Sequence, residues 1–211
     1  MNKKERAKIV AKLLKQKYPK PITELVHKNE TELAVAVMLS AQTTDKKVNE
    51  ITAKLFKKYK SWKDYAQADL EELRADIRGV NFHKGKAERI IKAGKTVLEE
   101  FSGKLPKKID ALIKIPGVAR KSANVIQQEL WNLSEGIVVD THVTRVSNLL
   151  GLTKEKNAVK IENDLMKLFK KDSWRNISGA IVLHGRYICK ARKPNCEDCV
   201  LNEVCPSAFK E

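Results

Sequence analysis

Reactive residue types gather at three places in this sequence. Arg120-Lys121 follows directly on Ile115-Pro116-Gly117-Val118-Ala119. Asp140 follows the apolar run Gly136-Ile137-Val138-Val139 and precedes Thr141-His142. Cys189, Cys196, Cys199 and Cys205 lie within 17 residues, and no cysteine occurs before them.

Pro116 stops one helical pattern, and Gly117 permits a tight turn. The next helix then starts with backbone N–H groups and the positive end of its dipole facing outward, which suits an anion such as a nucleic-acid phosphate. Leu112 and Ile115 before the turn, Val118 within it, and Ala123 with Val125-Ile126 after it give a helix–hairpin–helix pattern. Such a hairpin grips phosphates without reading sequence. Glycine is usual at both turn positions, and here the second is Ala119.

Lys121 falls in the first turn of that helix, beside Arg120. In a chain with 42 Lys and Arg, the ordinary use of a lysine is phosphate binding or plain solvation. A nucleophilic lysine must lose its proton. The dipole, the neighbouring cation and an expected partial burial all disfavour the ammonium here. Asp140 is placed to cap the helix that follows it. A capping carboxylate is also rigidly aimed, and near Lys121 it could stabilise a sugar cation or help move protons. For His142, helix packing is the plainer role.

Cys189-x6-Cys196-x2-Cys199-x5-Cys205 can close round one metal centre. Zinc also accepts four cysteines, commonly through two CxxC pairs on a longer loop. The compact spacing favours a [4Fe–4S] cluster. All four ligands would be used by the cluster, so a structural role is expected. Lys190, Arg192 and Lys193, between the first two ligands, would be presented rigidly to phosphates.

The elements that must position these groups read as helices almost throughout, and the fold class is all-α. Helices are expected over 31–41, 45–59, 69–77, 84–101, 109–114, 120–131, 140–150, 157–170 and 173–187. The N-terminal segment carries Ile9, Val10, Leu13 and Leu14 along one face, so a helix docked on the fold is expected there. No repeat or low-complexity linker interrupts the chain.

The 42 basic and 26 acidic residues give a formal charge of +16, which speaks to anionic partners and not to fold. No run of 18 apolar residues is present, and the N-terminus lacks the apolar core of a secretory signal. The expected setting is a reducing cytoplasm, nucleoid-associated in a prokaryote, without membrane contact.

Together these features resemble endonuclease III, the iron–sulfur helix–hairpin–helix DNA glycosylase and AP lyase family. Leu39-Ser40-Ala41-Gln42-Thr43-Thr44-Asp45 is similar to the family's LSAQ-x-TD stretch, and Leu183-His184-Gly185-Arg186-Tyr187 to the segment leading into its cluster. The resemblance implies that Lys121 is the nucleophile, Asp140 the essential acid, and the four cysteines the cluster ligands. It implies that Gln42 fills the space left by a flipped base. Gly117, Ala119 and Arg120 would hold DNA. Asp45, Asn81, Phe82 and His142 are candidates for the lesion pocket or wedge. It also implies a six-helix domain at 21–133 and a second domain of 1–20 with 134–211, with DNA in the cleft between them.

The expected activity is removal of oxidised pyrimidines from double-stranded DNA through a lysine Schiff base, then strand cutting by β-elimination, by a monomer. The sequence departs from the family at 79–87, about two residues longer than usual, where Val80, Asn81 and Phe82 compete for the wedge position. One extra residue also appears between Lys121 and Asp140.

A monofunctional relative is one rival. Its adenine-specific branch lacks the lysine and usually carries a further C-terminal domain, whereas this chain ends six residues after Cys205. The 8-oxoguanine branch lacks the cysteine loop. A non-catalytic DNA-binding module with a structural cluster is another rival, but it has no reason to keep Lys121 with Asp140.

Overall fold

The computed structural model describes residues 1–210. Among the described residues eleven α-helices and two one-turn 3-10 helices form, and no β-strand. No helix among them is long and apolar enough to cross a membrane. The chain divides into two compact units: Thr23–Trp131, and Met1–Ile22 with Asn132–Glu211.

The first unit is built round α2 (Glu30–Ser40). Asn29 caps this helix through Glu32 N, and every residue from Thr31 to Leu39 is buried. A helix apolar on all sides has to be enclosed. Helices α3 (Asp45–Lys58), α6 (His83–Phe101) and α8 (Arg120–Trp131) pack around it. Thr44 caps α3, and Val48, Ile51 and Leu55 form its inward stripe.

Two short helices, α4 (Trp62–Ala66) and α5 (Leu70–Asp76), lie against α6. The five-residue α4 is not among the expected helices, because one turn shows no periodicity. It approaches α6 closely at Gly94, where a Cβ would stand 2.8 Å from Ala66 N and 2.9 Å from Trp62 O. The four-residue α7 (Ile109–Leu112) leads into the hairpin.

The other unit packs α1 (Lys3–Lys17), α9 (Thr141–Leu149), α10 (Ala158–Leu168) and α11 (Trp174–Tyr187) around Ile137, Val143, Val146, Ile161, Leu165, Ile177 and Ile181. An Asn2–Glu5 capping box starts α1. Its docked face differs from the expected one: Ala7, Val10 and Leu14 are buried, while Ile9 is 37% exposed. Ala7, Val10 and Leu14 follow the 3–4 residue helical period, and Ile9 lies off that line. The apolar run 136–139 is buried without forming a strand, and Val138 N donates to Ser178 Oγ at 2.7 Å.

Candidate active site and metal centre

In the first unit, Ile115 N–H donates to Leu112 O and Val118 N–H to Ile115 O, which close the chain into the hairpin. Ile115 and Val118 point into the core at 1% and 4% exposure. Gly117 has φ +88°, and a Cβ there would meet Met38 Cε at 2.7 Å and Arg89 Cβ at 3.3 Å. Glycine is therefore required at this turn. Ala119 is not among the positive-φ residues and is exposed. The departure from the two-glycine pattern needs no strained backbone.

Arg120 and Lys121 open α8 and are both exposed. The partial burial expected of Lys121 is not found. The hairpin gives its core position to Val118 and turns the first residues of α8 outward. Lower on α8, the buried Gln127 donates to Lys107 O at 2.9 Å, tying the helix to the chain before α7.

The same unit brings Gln42, Asn81 and Phe82 together. Asn81 N donates to Thr43 Oγ1 at 3.1 Å, and Asn81 Nδ2 donates to Gln42 O. Gln42 and Phe82 both have positive φ, +56° and +58°. That conformation costs a non-glycine residue about 1–3 kcal/mol and persists only where the surroundings impose it. Phe82 is 66% exposed, whereas Val80 is 2% exposed. Of the three residues competing for the wedge position, Val80 belongs to the core and Asn81 ties the loop. Asp45 is the partly buried first residue of α3.

Sequence reasoning missed Lys86. Only 5% exposed, it donates from Nζ to Leu39 O (2.7 Å), Ala41 O (2.6 Å) and Thr43 Oγ1 (3.4 Å). Burial, and then the Arg89 charge, bring its pKa down to about 8. One more lysine in a lysine-rich helix carries no sequence signal.

In the second unit Asp140 is the N-cap of α9, as its position predicts. Its Oδ1 accepts from Val143 N at 2.8 Å, and its Oδ2 lies 3.2 Å from His142 Nδ1. The carboxylate is 15% exposed and fixed at both oxygens. His142 thus has a polar partner beyond its packing role.

The four cysteines form no disulfide, are each partly buried, and all line one pocket with Val146, Leu150, His184, Ile188 and Leu201. Burial raises the Cys189 thiol, Arg145 opposes this, and the other three sulfurs add to the rise. Four thiolates in an apolar pocket need a cationic core to hold them. A [4Fe–4S] cluster takes one thiolate at each of its irons, and this pocket offers four.

Two further residues brace this loop. Arg145 Nη2 donates to Gly185 O and Cys189 O, both at 2.8 Å. His184, 2% exposed, has Nε2 3.4 Å from Cys199 Sγ and Nδ1 3.5 Å from Tyr18 Oη. Burial, helped by the charge of Lys17, lowers its pKa to about 4, so the ring is neutral. The tautomer with its proton on Nε2 donates to the sulfur and accepts from the tyrosine. Lys190, Arg192 and Lys193 are exposed on the same loop.

Residues 35–171 match the model of the HhH-GPD superfamily of base excision DNA repair proteins, and residues 189–205 match the iron–sulfur binding domain of endonuclease III. The chain is 42% identical over 207 residues to endonuclease III of Synechocystis, covering 98% of this chain and 94% of that one. It is 43% identical over 194 residues to that of Bacillus subtilis, covering 92% and 88%. A structure of a non-covalent endonuclease III–DNA complex superposes with TM-score 0.92 at 38% identity, over 99% of this chain and 97% of that chain. A trapped covalent endonuclease III–DNA intermediate gives 0.93 at the same identity, over 99% and 98%. With its hairpin, its helix-capping acid and its [4Fe–4S] loop, the chain belongs to the endonuclease III family, the iron–sulfur DNA glycosylases and AP lyases of base excision repair.

Proposed function

We propose that Lys121 and Asp140 carry this family's reaction in the present chain, on oxidised pyrimidines and abasic sites in double-stranded DNA. One observation carries the reading. Lys121 stands exposed in the first turn of α8, immediately after a hairpin whose glycine cannot be replaced without strain. A lysine there reaches a sugar whose phosphates the hairpin holds.

The duplex is opened first, at a cost of a few kcal/mol for extruding the damaged nucleotide, least where pairing is already weak. Gln42 and Phe82 enter the space it leaves. The Lys121 amine then attacks C1′, and the glycosidic electron pair departs with the base. The sugar ring opens to a Schiff base at Nζ. Loss of a C2′ proton expels the 3′ phosphate by β-elimination, and water releases the lysine. Asp140 stabilises the positive charge that develops on the sugar. The bound duplex, rather than the protein core, excludes water from Lys121. Lys190, Arg192 and Lys193 hold phosphates. One basic surface per chain is enough for a monomer.

Cys189, Cys196, Cys199 and Cys205 would hold the [4Fe–4S] cluster, which would supply an anchor for the 189–205 loop.

Borohydride reduces a Schiff base to a stable amine. The wild-type protein is expected to give a covalent adduct with an oligonucleotide carrying one abasic site or one oxidised pyrimidine. Lys121→Ala is expected to give none while still binding the DNA. An active wild-type protein that releases base without a trappable adduct would sink the reading in favour of a monofunctional enzyme.

A further inference from the structure

Lys86 has no part in the roles assigned so far. Its three Nζ donors meet three acceptors, the full capacity of an ammonium. Two of these are Leu39 O and Ala41 O, at the end of α2. The last carbonyls of a helix lack partners within it and carry the negative end of its dipole, so a cation is favoured there. The third acceptor, Thr43 Oγ1, also receives Asn81 N at 3.1 Å, and Asn81 Nδ2 reaches Gln42 O.

Lys86 therefore joins 39–43 to 81–86 in a closed ring of hydrogen bonds. Gln42 and Phe82, both at positive φ and both exposed, project from that ring. Val80 anchors it from below. The same two helices also brace the hairpin, since Met38 of α2 and Arg89 of α6 both pack against Gly117. A buried ammonium opposes desolvation and the neighbouring Arg89 charge. An apolar side chain of similar length would fill the space without that cost, but it could not tie the two segments.

We propose that Lys86 is a positioning residue for base extrusion, holding Gln42 and Phe82 as one preformed edge before DNA arrives. The inference deepens the proposed insertion of those two residues and rests on it. With Lys86 in place, the strained conformations at 42 and 82 are set during folding. Without it, they must be ordered while the duplex is being opened, which slows extrusion. A lesion that is already unstacked needs no such edge. Lys86 therefore matters in paired DNA and little in single strands.

The test uses full-length holoprotein with Lys86→Met, Lys86→Arg, Gln42→Ala and Phe82→Ala. Single-turnover base release is measured on a duplex with one oxidised pyrimidine, and strand cutting on a single strand with one abasic site. Lys86→Met is expected to slow duplex release about tenfold or more and to slow single-strand cutting less than about threefold. Lys86→Arg, which keeps a cation and several donors, is expected to hold that ratio near the wild-type value. The fluorescence rise of a 2-aminopurine placed opposite the lesion should slow in step with duplex release. Equal losses on both substrates in Lys86→Met would mean general damage to the fold and would overturn the inference. Slow duplex release in Gln42→Ala, with Lys86→Met at the wild-type rate, overturns the role of Lys86 alone. Full duplex activity in both Gln42→Ala and Phe82→Ala removes the insertion reading, and the role of Lys86 with it.

Discussion

The two oxygens of Asp140 serve different ends, and this makes its structural and chemical roles separable. Oδ1 accepts the α9 N–H of Val143, and Oδ2 faces His142. Asparagine can keep the Oδ1 cap but removes the charge. Asp140→Asn is expected to unfold within about 0.5 kcal/mol of wild type, while Asp140→Ala loses about 1 kcal/mol. Both should lose base release if the charge acts on the sugar; a fully active Asp140→Asn would reduce Asp140 to a cap. Lys86 gives a pH signature. Its pKa falls from the ordinary 10.5 to about 8 on folding. Between these values the unfolded chain binds the proton and the folded chain does not, so stability rises with pH. Below about pH 8 both states hold it and the slope vanishes. Relative to Lys86→Met, which cannot titrate, wild type should gain unfolding free energy between about pH 8 and about pH 10 in urea melts. A flat or falling difference would contradict the burial of a charged amine there.

At the scale of elements, the hairpin depends on one backbone conformation and one close contact. Gly117→Ala places a Cβ 2.7 Å from Met38 Cε and forces alanine to φ +88°. The methionine end can move aside, but the dihedral strain remains. A loss of about 1–2 kcal/mol in urea unfolding is expected, with weaker DNA binding. Unfolding indistinguishable from wild type would mean that the turn relaxes freely. Most of the motif's apolar positions were legible in the sequence: Leu112, Ile115, Val118, Ala123 and Ile126 are buried as their spacing requires, and Val125 is partly buried. The acceptability of Ala119 was not legible. It depends on a negative φ that no residue type announces. The short α4 was hidden for a related reason: its Ser61–Asp64 capping box and the contact at Gly94 define it, not a periodic pattern.

Across the whole molecule the formal charge of +16 makes affinity for DNA depend on salt. Lys190, Arg192 and Lys193 are exposed on the 189–205 loop. Replacing all three with alanine should flatten the plot of log affinity against log salt by about 1 for each that contacts a phosphate. An unchanged slope would remove these residues from the DNA contact. Cysteine spacing alone located this loop. Its supports, Arg145 on the Gly185 and Cys189 carbonyls and His184 on Cys199 Sγ, came only from the folded chain.

Lys121 shows where the sequence stops being informative. Its position in the first turn of a helix after a glycine hairpin is a local property, set by Pro116, Gly117 and the apolar spacing around them. Local patterns likewise determined the helical class, the cap at Asp140 and the cluster loop. Exposure is not local: Lys121 is exposed, against expectation, because the hairpin gives its core position to Val118. The 79–87 loop follows the same rule. Val80, Asn81 and Phe82 are adjacent in sequence and equally plausible there. Packing buries the first, hydrogen bonds from the exposed second hold the loop, and Phe82 stands 66% exposed. Lys86 acquires meaning only when α6 brings it under the end of α2, since a hydrogen bond across 47 or 45 residues leaves no trace in the spacing of either segment.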